Sequence, residues 1–124
     1  MESNKILIVD DDANIRTLLS VNLTANGYAI ETAVDGKDAL EKITRDPPWL
    51  IILDVMMPEV DGWEVCKYVK DDPDLENVKI LMLTARDTQR DRLIGQKVLK
   101  ADEYLTKPFD IDVLIAKIGA LKET

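Results

Sequence analysis

The chain has 124 residues, of which 46% are hydrophobic and 32% charged, and its 24 acidic and 16 basic residues give a net charge of −8. This composition is typical of one globular domain, and we expect residues 1–124 to form a single domain. The acidic balance argues against binding of nucleic acid or of an anionic membrane by this domain alone, because such binding needs clustered cations.

The sequence also carries no sign of export or membrane insertion. No apolar stretch approaches the roughly 20 residues of a membrane helix, and the polar N-terminus has no signal-peptide pattern. The single cysteine, Cys66, excludes an intramolecular disulfide and is typical of a reducing compartment. We therefore expect a cytoplasmic protein.

Short apolar runs alternate with segments of helical periodicity along the whole chain. The apolar runs predict strands at residues 5–9, 28–32, 49–53, 79–83 and 103–106. Apolar residues at helical spacing predict a helix after each strand, centred on residues 15–23, 39–43, 65–69, 88–99 and 111–121. Gly27 is expected to end the first helix.

This alternation predicts an α/β fold with a doubly wound, five-stranded parallel sheet of flavodoxin-like order 2-1-3-4-5. The second run alternates apolar and polar residues, which is typical of an edge strand. In this order, ligands bind at the carboxyl ends of the first and third strands, where the direction of winding changes.

Carboxylates follow both of these strands. Asp10 and Asp11 come after the first run, and Asp54 comes after the third. Two unit charges about 4 Å apart repel by roughly 4 kcal/mol at an effective dielectric constant of about 20, so the cluster needs a cation. Mg²⁺, with Mn²⁺ as a possible substitute, suits a shallow site of oxygen ligands. The alternative is that the acidic run only caps a helix, and Asp12 is expected to do so.

Two further polar residues end the remaining strands. Thr84 ends the fourth and Lys107 the fifth. A threonine at a strand end is more often a turn residue, and a lysine beside a proline is more often a solvated charge. Together with the aspartates, however, they predict a site that neutralises the oxygens of a transferring phosphoryl group. Asp54 is then the candidate nucleophile, and attack by its carboxylate would form an aspartyl phosphate.

Four motifs occur in order: KILIVDDD at 5–12, LDVMMPEVDG at 53–62, LTA at 83–85 and YLTKPF at 104–109. In these motifs, and over its whole length, the chain resembles the receiver domain of two-component response regulators. The resemblance implies a phosphorylation-activated switch that accepts a phosphoryl group on Asp54 from a histidine kinase or phosphotransfer protein. It implies a regulator that assists its own phosphorylation and dephosphorylation rather than a conventional enzyme.

The resemblance also implies roles at the metal site. Asp11 would be the direct Mg²⁺ ligand, Asp10 would act mostly through water, and Asp54 and the Met56 carbonyl would complete the protein ligands.

At the phosphoryl group, the resemblance implies contacts from Thr84 and Lys107, with a cis peptide bond before Pro108. Tyr104 would turn inward as Thr84 moves toward the phosphoryl group, so these two residues would form the switch.

The output surface implied for this family is the fourth helix, the fifth strand and the fifth helix, which would contact a downstream protein or output domain or form a phosphorylation-dependent homodimer. Lys100 stands where family members usually have a glycine at the end of the fourth helix. Val113 stands where the winged-helix transcription-factor branch has an acidic residue of the dimer face, although Asp102, Glu103 and Lys117 agree with that face.

Two other function classes stay open. A Mg²⁺-dependent phosphohydrolase would need a second carboxylate two residues after the nucleophile, where this chain has Met56. A constitutive docking module of the same fold would be favoured by the loss of a site residue, and none is lost.

Overall fold

The computed structural model describes residues 4–54, 62–84 and 101–123. Its strands are β1 (Lys5–Val9), β2 (Ala29–Ala33), β3 (Leu50–Asp54), β4 (Lys79–Thr84) and β5 (Glu103–Thr106). Its helices are α1 (Ala13–Ala25), α2 (Gly36–Arg45), α3 (Gly62–Asp71), a short 3-10 helix (Pro73–Leu75) and a C-terminal helix (Ile111–Lys122). The predicted helix at 88–99 and Lys100 lie outside the described residues.

The strands form one parallel sheet in the order β2-β1-β3-β4-β5, which confirms the predicted fold class and places the second strand at an edge. In the register of β1 and β3, Ile8 lies beside Ile52 and Val9 beside Leu53. All four of these side chains are buried. Nearly continuous aliphatic sequence in the central strands is therefore explained by helices covering both faces of the sheet.

The core consists of one apolar layer on each face of the sheet. On one face, buried residues of α2 and α3 pack against the strands. On the other face, α1 and the C-terminal helix contribute the buried side chains of Leu19, Leu23, Leu114 and Ile118. Packing of the two layers fixes the position of each strand along its own direction. The strand ends therefore lie at defined positions along the carboxyl edge of the sheet.

Three strands differ from the prediction by one residue: β2 and β3 each begin and end one residue later, and β4 ends at Thr84 rather than at residue 83. The predicted second strand, 28–32, begins one residue too soon. Gly27, with φ of 91°, ends the preceding helix, and the Tyr28 amide donates to the Leu23 carbonyl rather than to the sheet. Gly27 is thus confirmed as the helix terminator. The third strand extends to Asp54, which pairs with Leu83 of β4. The acceptor candidate therefore belongs to the sheet itself.

None of the helices in the described part of the chain combines the length and the apolar character needed to cross a membrane.

Candidate functional site

Adjacent strands bring the predicted carboxylates together. Asp10 directly follows β1 and Asp54 is the last residue of the neighbouring β3. Asp10 is 2% exposed and Asp54 5% exposed, whereas Asp11 is exposed to solvent. One carboxylate oxygen from each of the three residues lies within 4.8 Å of the others. The predicted acidic cluster is therefore present at the carboxyl edge of the sheet.

Asp10 is held by contacts on all sides. Its amide donates to the Ala33 carbonyl at 3.3 Å, and its Oδ1 accepts from the Asp12 amide at 2.9 Å. Its Oδ2 accepts from Lys107 Nζ at 2.8 Å, and its carbonyl accepts from Arg16 Nη1 at 2.7 Å. A carboxylate buried to this extent is stable only when its oxygens have such partners. Asp10 is thus a fixed component of the site.

Helix capping accounts for only one member of the acidic run. The Asp12 carboxylate accepts from the Asn14 amide at 2.8 Å and caps the N-terminus of α1, as predicted. Asp10 and Asp11 do not serve this purpose, because one faces Lys107 and the other lies among the three clustered carboxylates. The alternative in which the acidic run is a helix cap therefore applies to Asp12 alone.

Lys107 places its ammonium between the two buried carboxylates. Its Nζ lies 2.8 Å from Asp10 Oδ2 and 3.6 Å from Asp54 Oδ2, and its side chain is 21% exposed. Burial by itself lowers the pKa of Lys107, but the hydrogen bonds and charges of Asp10 and Asp54 outweigh burial, so the pKa is raised. Lys107 is therefore a stable cation at the acceptor candidate. The peptide bond between Lys107 and Pro108 is cis.

The chemistry of the donor set fits a hard divalent cation. Among the described residues, three carboxylates face the Lys107 ammonium and the Arg16 guanidinium that donates to the Asp10 carbonyl, so negative charge is in excess at this edge of the sheet. All of the clustered ligand atoms are oxygens, which Mg²⁺ and Mn²⁺ prefer over softer metals. The exposure of Asp11 leaves room for the waters that Mg²⁺ retains.

The residues predicted to form the switch are placed only in part. Tyr104 lies in β5, is 6% exposed and packs in the core layer on the α2 and α3 face of the sheet. The Thr84 backbone pairs with Thr106 of β5, but its side chain lies outside what the structure describes, as does Met56. The movement of Thr84 and Tyr104 and the Met56 ligand stay predictions.

On the predicted output surface, the charged residues of β5 and the preceding turn form ion pairs within the chain. Asp102 accepts from Lys70 Nζ at 2.7 Å and from the Ile80 amide at 2.8 Å. Glu103 Oε1 lies 3.4 Å from Lys117 Nζ. These contacts tie β5 to α3 and to the C-terminal helix.

Among the described residues near the site, sequence reasoning missed Arg16. A possible signal was its position near the N-terminus of a helix, where the helix dipole disfavours a cation. Its hydrogen bond to the Asp10 carbonyl compensates for that placement.

The comparisons with known proteins agree with this geometry. Residues 6–119 match the family described as the response regulator receiver domain. The response regulator MprA of Mycobacterium leprae is 47% identical over 117 residues, which are 94% of this chain and 50% of MprA. The chain thus spans about half the length of the curated relatives it matches.

Solved structures share the fold over almost the whole chain. The chemotaxis protein CheY4 of Vibrio cholerae has a TM-score of 0.88 and 35% identity, with 98% of this chain and 99% of CheY4 covered. The response regulator TrrA of Thermotoga maritima, solved in complex with Mg²⁺ and BeF, has a TM-score of 0.83 and 39% identity, with coverage of 98% and 99%. The chain belongs to the response regulator receiver domain family, the phosphorylation-activated signalling switches of two-component systems.

Proposed function

We propose that residues 1–124 form a single receiver domain and that Asp54 is the residue that accepts the phosphoryl group. The observation that carries this proposal is the position of Asp54: it ends the central strand of the sheet, 3.6 Å from the Lys107 ammonium and within the carboxylate cluster. Asp54 combines its place at the end of the central strand with burial beside Lys107, whereas Asp10 follows the end of β1 and Asp11 is exposed, so Asp54 is the best candidate nucleophile of the three.

In the proposed reaction, an oxygen of the Asp54 carboxylate attacks the phosphorus of a phosphohistidine on a histidine kinase or phosphotransfer protein. A new P–O bond forms, the P–N bond breaks, and the electron pair leaves with the imidazole nitrogen. Lys107 offsets negative charge on the phosphoryl oxygens, and the Thr84 hydroxyl is expected to make a second contact with them. Asp10, Asp11, Asp54 and the Met56 carbonyl would hold Mg²⁺, which supplies further charge neutralisation at these oxygens.

The phosphoryl group would then act as the signal. It adds about 1.5 to 2 negative charges beside Lys107, and we expect Thr84 and Tyr104 to respond by changing the surface of the fourth helix, β5 and the C-terminal helix. A few kcal/mol suffices to shift such a two-state equilibrium. The curated relatives are about twice as long as the segment that this chain matches, which supports an output segment as the partner of this surface. The domain would also assist hydrolysis of its own phosphoryl group, which ends the signal.

The assignment of Asp54 is tested by phosphorylation with a small donor. The protein is incubated with acetyl phosphate and Mg²⁺, and its intact mass is recorded over time. We expect one adduct of about 80 Da (one phosphoryl group) in the wild type, none in Asp54→Asn, and a decay of the wild-type adduct once the donor is removed. Asp71→Asn is the control, because Asp71 is an exposed residue of α3 paired only with Lys67 among the described residues.

A persistent adduct in Asp54→Asn would contradict the assignment. Absence of any adduct in the wild type would instead favour the constitutive docking module.

A further inference from the structure

Arg16 is an unusual cation for its position. It is the fourth residue of α1, and its amide makes the first backbone hydrogen bond of the helix, to the Asp12 carbonyl at 3.1 Å. The positive end of the helix dipole disfavours a cation at this end of a helix. The Arg16 side chain is nevertheless partly buried and extends back across the helix start to the end of β1, where Nη1 donates to the Asp10 carbonyl at 2.7 Å.

This contact lies on the peptide group that joins the two aspartates of the acidic pair. The Asp10 carboxylate is fixed independently by Asp12 and Lys107. Among the described residues, by contrast, the Asp11 carboxylate makes no hydrogen bond or ion pair of its own. The direction of the Asp11 side chain therefore depends on the orientation of the peptide that precedes it, and Arg16 holds the carbonyl of that peptide.

We propose that Arg16 is a positioning residue for the cation site, which holds the peptide between Asp10 and Asp11 so that the Asp11 carboxylate stays near Asp54. The inference rests on the proposed binding of Mg²⁺ by these carboxylates. Arginine suits this task because its long, planar and permanently charged head group loses little freedom when it donates to a fixed carbonyl. Partners that orient metal ligands commonly change metal affinity by about 10- to 100-fold when they are removed.

The opposite expectation follows if Arg16 acts only through its charge. A guanidinium near the carboxylates repels a divalent cation, so its removal would tighten metal binding. Positioning and charge thus predict opposite signs for the same substitution. The sign of the change in Mg²⁺ affinity decides between them.

The test compares Arg16→Met with Arg45→Met. Arg45 is the matched control, because it is the last residue of α2, its side chain is 66% exposed and it pairs with Glu31 at 3.0 Å. Mg²⁺ affinity is measured by calorimetric titration, and amide hydrogen exchange at Asp11 and Asp12 is measured in the metal-free proteins. We expect Arg16→Met to weaken Mg²⁺ binding about tenfold and to speed exchange of the Asp12 amide, which donates to Asp10 Oδ1. Arg45→Met should change neither quantity.

Arg16→Lys keeps the charge and one donor, so its loss of affinity should be smaller than that of Arg16→Met. If the methionine variant does not fold, as judged by circular dichroism and thermal melting, Arg16→Gln takes its place with the same criteria. Affinity within twofold of the wild type, or tighter, overturns the proposal. Neither readout uses phosphorylation, so a failure here is separate from a failure of the Asp54 assignment.

Discussion

At the scale of single residues, the charge of Lys107 compensates the charges of two buried carboxylates. Asp10 and Asp54 are both almost fully buried, and the Lys107 ammonium is in contact with both. Removing one member of a buried, hydrogen-bonded charge group leaves the remaining charges without compensation, which costs more than the group contributes as a whole. Lys107 therefore supports the fold as well as the proposed phosphoryl transfer.

We expect Lys107→Met to lower the free energy of unfolding by about 2 kcal/mol in metal-free buffer, because Asp10 and Asp54 lose their counter-charge. Added Mg²⁺ should recover much of this loss. Urea titrations with and without Mg²⁺ measure both effects. Lys117→Met is the control: Lys117 is more exposed and pairs with Glu103 at 3.4 Å, so its loss should stay below about 1 kcal/mol. Equal losses in the two variants would contradict the role of Lys107.

The same contacts set a pH dependence. The pKa of Lys107 is raised in the folded protein, so the stability that its charge provides is fully present below the ordinary lysine pKa of 10.5. This contribution is lost as the pH rises through the raised folded pKa. In metal-free protein, the difference in unfolding free energy between wild type and Lys107→Met should therefore be constant from pH 7 to 10 and shrink above that range. Urea titrations across this series provide the measurement.

At the scale of the elements, α3 shows how packing changes the chemistry of a side chain. Cys66 lies on its buried face together with Val65 and Val69. Burial raises the pKa of the Cys66 thiol to about 11, and the charge of Asp102 adds to this effect while that of Lys70 opposes it. A thiol in these surroundings is neutral and protected from reagents.

We expect Cys66 in the native protein to resist alkylation by iodoacetamide at pH 8, and to react rapidly once urea unfolds the chain. Because its pKa is raised, the neutral thiol contributes stability that is present below pH 9.0 and lost as the pH rises toward about 11. Cys66→Ala should abolish the decline in unfolding free energy that the thiol causes between pH 9.0 and about 11. Lys107→Met removes the contribution of Lys107 and serves as the comparison. Rapid alkylation of the native protein would show that α3 does not pack as described.

At the scale of the whole molecule, the parallel sheet concentrates negative charge at one edge. Asp10, Asp11 and Asp54 come from two strands far apart in sequence, and folding brings their oxygens within 4.8 Å. The unfolded chain separates these charges, so their repulsion opposes folding unless a cation binds. The stability of the domain and the occupancy of the site are therefore linked.

We expect Mg²⁺ at a hundredfold excess over its Kd to raise the free energy of unfolding by about 2.7 kcal/mol. Asp11→Ala should remove this gain and keep the fold, because Asp11 is exposed and its proposed role is that of a metal ligand rather than of a core contact. Thermal melting across a Mg²⁺ series measures the gain, and Ca²⁺ at equal concentration tests selectivity. An unchanged melting temperature for the wild type in millimolar Mg²⁺ would refute this linkage.

The sequence by itself determined the order of the strands and the edge at which the carboxylates meet. Apolar runs such as Ile51 to Leu53 that alternate with helical segments are typical of strands buried on both faces of a parallel sheet, and the residues that follow such runs share one edge. The acidic cluster was therefore predictable from local pattern.

Only the tertiary structure decided which side chains contact one another across elements. Lys107 reaches both buried aspartates, Arg16 donates to the Asp10 carbonyl, and Asp102 pairs with Lys70 of α3. Local periodicity cannot predict these contacts, because they depend on the distances and angles at which the helices and strands pack and on the rotamers that this packing allows. The same packing set the one-residue differences at β2 and β3, where the Gly27 turn and the pairing of Asp54 with Leu83 outweighed the hydrophobic pattern.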